Sequence, residues 1–251
     1  MQPGLQLLEL SSVSRHFGAL VAVAEIDLQI RRRERRAMLG SNGAGKTTLF
    51  NLMTGDIPVS QGTIRFMGTD VTGLKPHDRV RRGLRRTYQI SQLFSQLTVR
   101  DSVFLAARGI AGKQFSMRRP TPKDAVMHDA SRCIKAVHLE EHIDAVVGNL
   151  SHGQQRQLEI AMALVGNPEL ILFDEPAAGL SPTERGELVN LLHGLPQDIA
   201  FIIIEHDMDV ALQVADRVSV MHDGRIFKEG TPGEIENDAA VQALYLGGGD
   251  D

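Results

Sequence analysis

One cysteine, Cys133, is all that the sequence offers to sulfur chemistry. An intrachain disulfide, a thiolate zinc cluster and a CxxC redox pair are therefore excluded, and a reducing compartment is expected. Long apolar runs are missing too. Stretches such as Leu170 to Phe173 and Ala200 to Ile204 fall far short of the roughly 18 to 20 residues that span a bilayer. Neither sign of charge dominates: 27 Lys and Arg stand against 31 Asp and Glu, a formal net charge of −4, which gives no global drive toward nucleic acid or anionic lipid. Glu9 stands where the apolar core of a secretory leader would run, with no basic residue before it, so no leader is expected. Internal repeats and low-complexity tracts are absent, and the Gly and Asp run at 247–251 reads as a frayed tail. What is there is an ordinary globular composition, 251 residues with 42% hydrophobic, enough to bury a genuine core.

Short period-two segments crowd the first third: Leu7 to Leu10, Ile26 to Ile30, Ala37 to Leu39 and Thr63 to Phe66 read as strands. From Leu97 to about Val147 the apolar spacing turns helical, with a basic, Pro-containing loop at Arg118 to Pro122. After Gly153, helix and buried strand alternate: helix Gln154 to Val165, strand Leu170 to Phe173, helix Thr183 to Leu192, strand Phe201 to Ile204, helix Met208 to Val214, strand Val218 to Met221. That order predicts an α/β fold with a mostly parallel sheet. Two basic stretches, RRRERR at 31–36 and Arg79 to Arg86, read as a solvated turn and a solvated helix face.

Gly40, Ser41, Asn42, Gly43, Ala44, Gly45, Lys46, Thr47 and Thr48 fill G-x-x-x-x-G-K-[ST] directly after the predicted strand Ala37 to Leu39. Glycines let successive amides turn toward phosphate oxygens, a helix starting near Lys46 adds its positive end, and the lysine reaches the β and γ phosphates. Thr47 offers a hydroxyl to Mg²⁺. The apolar strand Leu170 to Phe173 ends in Asp174 and Glu175, and parallel sheets gather ligands at such carboxyl ends. Beside a phosphate loop, Asp174 would hold Mg²⁺ and Glu175 would polarise the water for in-line transfer of a γ-phosphoryl group. By itself an Asp-Glu pair is also what a solvated strand end carries.

The string NLSHGQ at 149–154 separates the phosphate-loop classes. With it the chain resembles the ATP-binding cassette (ABC) ATPases, whose L-S-G-G-Q signature opens a helix; Leu150, Ser151, Gly153 and Gln154 match it. A Ser hydroxyl, a Gly amide and a helix N-terminus make a second phosphate cradle, although Ser151 alone also reads as a helix N-cap. The resemblance covers nearly the whole chain. It implies that Phe17 stacks on adenine, that Gln89 meets Mg²⁺ or the attacking water on a loop facing a membrane partner, and that His206 contacts the γ-phosphate. It implies a P-loop ABC ATPase core with a mostly parallel sheet, an N-terminal antiparallel β subdomain and a helical subdomain inserted at 97–150, all within one nucleotide-binding domain, 1–251.

Because that family's signature meets the nucleotide of the opposite subunit, two ATPase chains, the same or paralogous, would pair head to tail around ATP and Mg²⁺. Several strings, RTYQISQLFSQLTVRDSV, GQQRQLEIAMAL, DEPAAGLSP and IIIEHDMDV, look like the subunits that power branched-chain amino acid import. Such subunits sit on the cytoplasmic face of the membrane, drive two membrane-spanning permease subunits, receive solute indirectly from an extracytoplasmic binding protein, and need no nucleic acid. Export and a non-transport ABC role stay open from the nucleotide motifs. A GTPase lacks its Asn-Lys-x-Asp motif here, and a small-molecule kinase has no use for LSHGQ. The chain departs from the family at His152, which replaces a signature glycine, at Ser181, where an aspartate is common, and at Arg33, where a turn glycine is common.

Overall fold

A strand covered by helices on one face and by another layer on the other must be apolar on both, and the uninterrupted runs late in the sequence are strands of that kind. The computed structural model describes residues 6–88, 93–111 and 125–246. In chain order, β1 (Gln6–Phe17) and β2 (Leu20–Arg31) form a hairpin, and β3 (Arg35–Leu39) runs into α1 (Lys46–Thr54). Next, β4 (Gln61–Phe66) and β5 (Thr69–Asp70) complete an antiparallel sheet of order β2-β1-β4-β5. Helix α2 (Pro76–Arg81) and the short β6 (Leu84–Arg86) lead to α3 (Val99–Ile110), α4 (Ala125–Ala136) and α5 (His152–Leu164). The rest alternates: β7 (Leu170–Asp174), α6 (Pro182–Gly194), β8 (Ala200–Ile204), α7 (Met208–Val214), β9 (Arg217–His222), β10 (Arg225–Gly230), α8 (Pro232–Glu236) and α9 (Ala239–Leu246). The second sheet has the order β10-β9-β3-β8-β7-β6, parallel except for the β9–β10 hairpin.

The period of two in the parallel strands divides the interior into two cores. Ala37, Leu39, Ile171, Phe173, Phe201 and Ile203 face the helical side with α3 to α7, whereas Met38, Leu170, Leu172, Ile202 and Ile204 face α1 and the antiparallel sheet. Phe173 and Phe201 meet edge to face at 5.6 Å between centroids across β7 and β8. Helix starts are set locally. Ser151, Ser181 and Thr231 each form a capping box with Gln154, Glu184 and Glu234, and Pro182 sits in the first turn of α6.

The basic stretches differ from the sequence expectation. Within 31–36, Arg31, Arg32 and Arg33 are exposed at a turn where Arg33 takes φ 64°, but Glu34, Arg35 and Arg36 are buried at the start of β3. Arg36 is neutralised there by Glu34 and Glu229 and bonded to Ser219. Arg79 to Arg86 is a solvated face only in part: Arg81 and Arg82 are exposed, whereas Arg79 and Arg85 are buried. Arg79 is 2% exposed, and its guanidinium donates to the carbonyls of Leu52 and Met53, both at 2.7 Å, placing a cation on the C-terminal end of α1. Arg85 is buried and bonds Val80 O, and desolvation lowers its pKa to about 10. The Arg118 to Pro122 loop lies outside the described residues.

Candidate active site

The register of the parallel sheet brings the site together. Met38 of β3 and Asp174 of β7 both lie beside Ile204 of β8, so the loops leaving three adjacent strands emerge at one edge. The loop after β3 turns back tightly into α1. A Cβ on Gly40 would lie 2.4 Å from Met221 O, and one on Gly45, whose φ is 96°, would lie 2.5 Å from Ala22 O; only glycine fits either position. Lys46 is 6% exposed and folds back over the loop, donating from Nζ to Gly40 O at 2.6 Å and to Ser41 O at 2.9 Å. Burial lowers its pKa, while the negative charges of Glu175 and Asp174 raise it.

Asn42, Gly43, Ala44, Gly45, Lys46, Thr47 and Thr48 line a cleft of about 590 Å³ together with Phe17, Glu175 and the β9–β10 turn. Phe17, Leu20 and Val21 form an exposed apolar lip from the first hairpin, and Arg15 stacks on the Phe17 ring at 4.5 Å. Thr47 is exposed in the first turn of α1. Asp174 is 2% exposed; its Oδ2 accepts from Arg86 Nη2 at 2.5 Å, and its Oδ1 is buried with no hydrogen-bond partner among the described residues. Glu175 takes a left-handed backbone, φ 47°, sparse for a side chain of that size, and its N–H donates to Ile204 O at 3.0 Å. That turn sends its carboxylate into the cleft, 3.8 Å from Nδ1 of the exposed His206. Gln89 lies outside the described residues.

Ser151, Gly153 and Gln154 do not line this cleft among the described residues. Ser151 caps α5, accepting from Gln154 N at 3.2 Å, which uses an oxygen lone pair and leaves its O–H free to donate. Gln154 Oε1 accepts from Ser151 N at 2.9 Å, and its Nε2 lies 2.8 Å from His142 Nε2. The Gly153 amide is not open to an anion in this arrangement: it donates to Glu184 Oε1 at 3.3 Å, and the other oxygen of Glu184 accepts from Ser181 N at 2.9 Å and Ser181 Oγ at 2.7 Å. Glu184 escaped the sequence reading because it looks like an ordinary capping-box residue of α6, which it also is.

The family model described as ABC transporter matches residues 23–178. The chain belongs to the ABC transporter family. As an ABC cassette it binds nucleotide and hydrolyses ATP. It is 34% identical over 251 residues to BraF, a high-affinity branched-chain amino acid transport ATP-binding protein of Pseudomonas aeruginosa, covering 96% of this chain and 98% of that one. With LivG of Salmonella typhimurium, which bears the same description, the identity is 36% over 249 residues, with the same coverage of both chains. A solved ATP-binding cassette of an ABC transporter in its ADP conformation superposes with a TM-score of 0.85 at 28% identity, covering 97% of this chain and 99% of that one.

Other cassette residues that line the cleft, Asp223 and Gly224, were not foreseen in the sequence. An Asp-Gly dipeptide is by itself a signal of a two-residue hairpin turn, and both residues indeed take positive φ, 46° and 73°.

Proposed function

We propose that this cassette is the ATP-hydrolysing subunit of an importer for branched-chain amino acids or related small polar solutes. The observation that carries the nucleotide assignment is the convergence of the phosphate loop, Lys46 and Glu175 on one cleft, with an Asp174 oxygen buried at the end of β7 that has no hydrogen-bond partner among the described residues. In this reading the amides of Asn42 to Thr48 and the end of α1 bind the phosphates, Lys46 exchanges the carbonyls of Gly40 and Ser41 for phosphate oxygens, and Phe17 packs on the base. Thr47 Oγ1 and Asp174 would hold Mg²⁺, with Gln89 as a third contact; such an ion takes few protein ligands beside substrate phosphates, and the buried Asp174 Oδ1, with no hydrogen-bond partner among the described residues, fits that demand. When bound, the ion neutralises charge developing on the phosphates. Glu175 accepts the proton of the attacking water, and His206 orients the γ-phosphate.

The signature residues Ser151, Gly153 and Gln154 are not among the described residues that line this cleft, which supports a site completed by a second ATPase chain, the same or a paralogue, in a head-to-tail pair. An apolar cavity of about 410 Å³ between α2, β6, α3 and α5, lined also by Tyr88 and Leu93, which flank the Gln89 segment in the sequence, supports docking of a permease subunit. The cassette would then sit at the cytoplasmic face of a membrane beneath two permease subunits, served indirectly by an extracytoplasmic binding protein and needing no nucleic acid. The importer assignment rests on the similarity to BraF and LivG.

Two substitutions separate binding from chemistry. Glu175→Gln keeps ATP affinity within a few-fold and lowers turnover by roughly 10² or more, the usual scale for a lost general base. Lys46→Ala loses ATP affinity. Parent-like hydrolysis by Glu175→Gln, measured as phosphate release, overturns the assignment.

A further inference from the structure

Arg86 closes β6, the edge strand beside β7, and its side chain is only 5% exposed. Its two terminal nitrogens grip different parts of the molecule. Nη2 donates to Asp174 Oδ2 at 2.5 Å; Nη1 donates to Asn51 Oδ1 of α1 at 2.5 Å and to Asp56 Oδ2 at 3.1 Å. The guanidinium lies over the Tyr88 ring at 4.8 Å and near Phe50 at 5.8 Å, and Arg86 with Tyr88 forms part of the wall of the apolar cavity next to β6. One buried cation thus joins the Asp174 carboxylate, the phosphate-loop helix and that cavity.

We propose that Arg86 is a positioning residue for Asp174. By holding Oδ2 in a charge-assisted hydrogen bond it fixes the rotation of the carboxylate, so that Oδ1 is presented to the Mg²⁺ of the nucleotide rather than turned into the protein. A planar fork suits the task because one arm serves Asp174 while the other is anchored to Asn51 and Asp56; an ammonium at the same place supplies the charge without the second anchored arm. Burial makes the arrangement stiff: neither charge has water to turn to, so each keeps the partner it has. The inference rests on the reading of Asp174 as a metal-holding carboxylate.

The test measures ATP affinity of the full chain by calorimetry, once with Mg²⁺ and once with EDTA, and takes the ratio as the gain from metal. Arg86→Gln should lower that gain by about tenfold, the scale of a lost outer partner of a metal ligand, while leaving the EDTA affinity within about threefold. Arg86→Lys should fall between parent and Arg86→Gln. In an Asp174→Asn background, Arg86→Gln should cost nothing more. A merely structural role would lower the melting temperature and both affinities together. If Arg86→Gln does not fold, Asp56→Asn, which loosens the fork and keeps the cation, should shift the gain in the same direction by a smaller factor. An unchanged gain in the foldable variants, or losses that add in the double variant, overturns the role of Arg86. An unchanged gain in Asp174→Asn alone overturns the metal reading instead.

Discussion

Glu205 is fully buried at the end of β8, where its Oε1 accepts the amide of Ala177 at 2.8 Å and its Oε2 has no partner among the described residues. Burial pushes its pKa up to about 7; the Ala177 amide opposes this and the charges of Glu175 and Asp207 add to it. An acid raised in the folded state binds its proton there between about pH 4.5 and 7 while the unfolded chain has lost it. Stability therefore falls as pH rises through that window and levels off above it, by at most ~3 kcal/mol. Glu205→Gln should remove this dependence: melting temperatures of parent and variant, followed from pH 5 to 8, should diverge in favour of the variant as pH rises. Parallel curves would show that Glu205 stays ionised throughout. At this scale the sequence was readable wherever a residue type is tied to a spacing, as with Gly40, Gly45, Lys46 and Asp174. It was unreadable for Arg79, Arg85 and Arg86, because arginine is mostly exposed and only the folded chain reveals which carbonyls and carboxylates surround a buried one.

The capping carboxylate of α6 also holds the first turn of α5, so one side chain ties two helix N-termini together. In the proposed pair, the Gly153 amide faces the nucleotide of the other chain, and Glu184 then places a negative charge beside a phosphate. Glutamine can complete the capping box with its one amide oxygen, so Glu184→Gln removes the charge and the acceptor that now holds the Gly153 amide while keeping the cap of α6. Combined with Glu175→Gln, it should let the ATP-dependent dimer form at about a several-fold lower protein concentration in sedimentation, a change within the usual reach of one helix-end charge. Weaker association would show that the Glu184 charge supports the interface. Among the elements, β7 and β8 were legible because apolar runs bounded by polar residues have few other uses. β6 was not: Leu84, Arg85 and Arg86 carry no strand pattern, and the segment becomes a strand only because β7 offers it hydrogen bonds from Leu170 to Leu172. β10 was missed for want of apolar alternation, with Ile226 and Phe227 adjacent and Lys228 and Glu229 after them.

For the whole molecule, the class of fold was written in the alternation of helix and strand, but the strand order was not, since nothing local says that β3 lies between β8 and β9. That placement governs how the protein can be made. Arg35 pairs with Phe201, and Arg36 lies beside Arg217, so the strand carrying the phosphate loop waits for both of its neighbours until late in synthesis. The β1–β2–β4 meander, by contrast, closes over short distances in the chain and can form early. A fragment spanning 1–165 holds the entire phosphate loop and yet should bind ATP no better than an unrelated protein in calorimetry; retained affinity would mean that the loop is shaped without its sheet. On the ribosome, both hydrogen-bonding edges of β3 stay unpaired until β8 and β9 are translated, an exposure of the kind that holding chaperones shield.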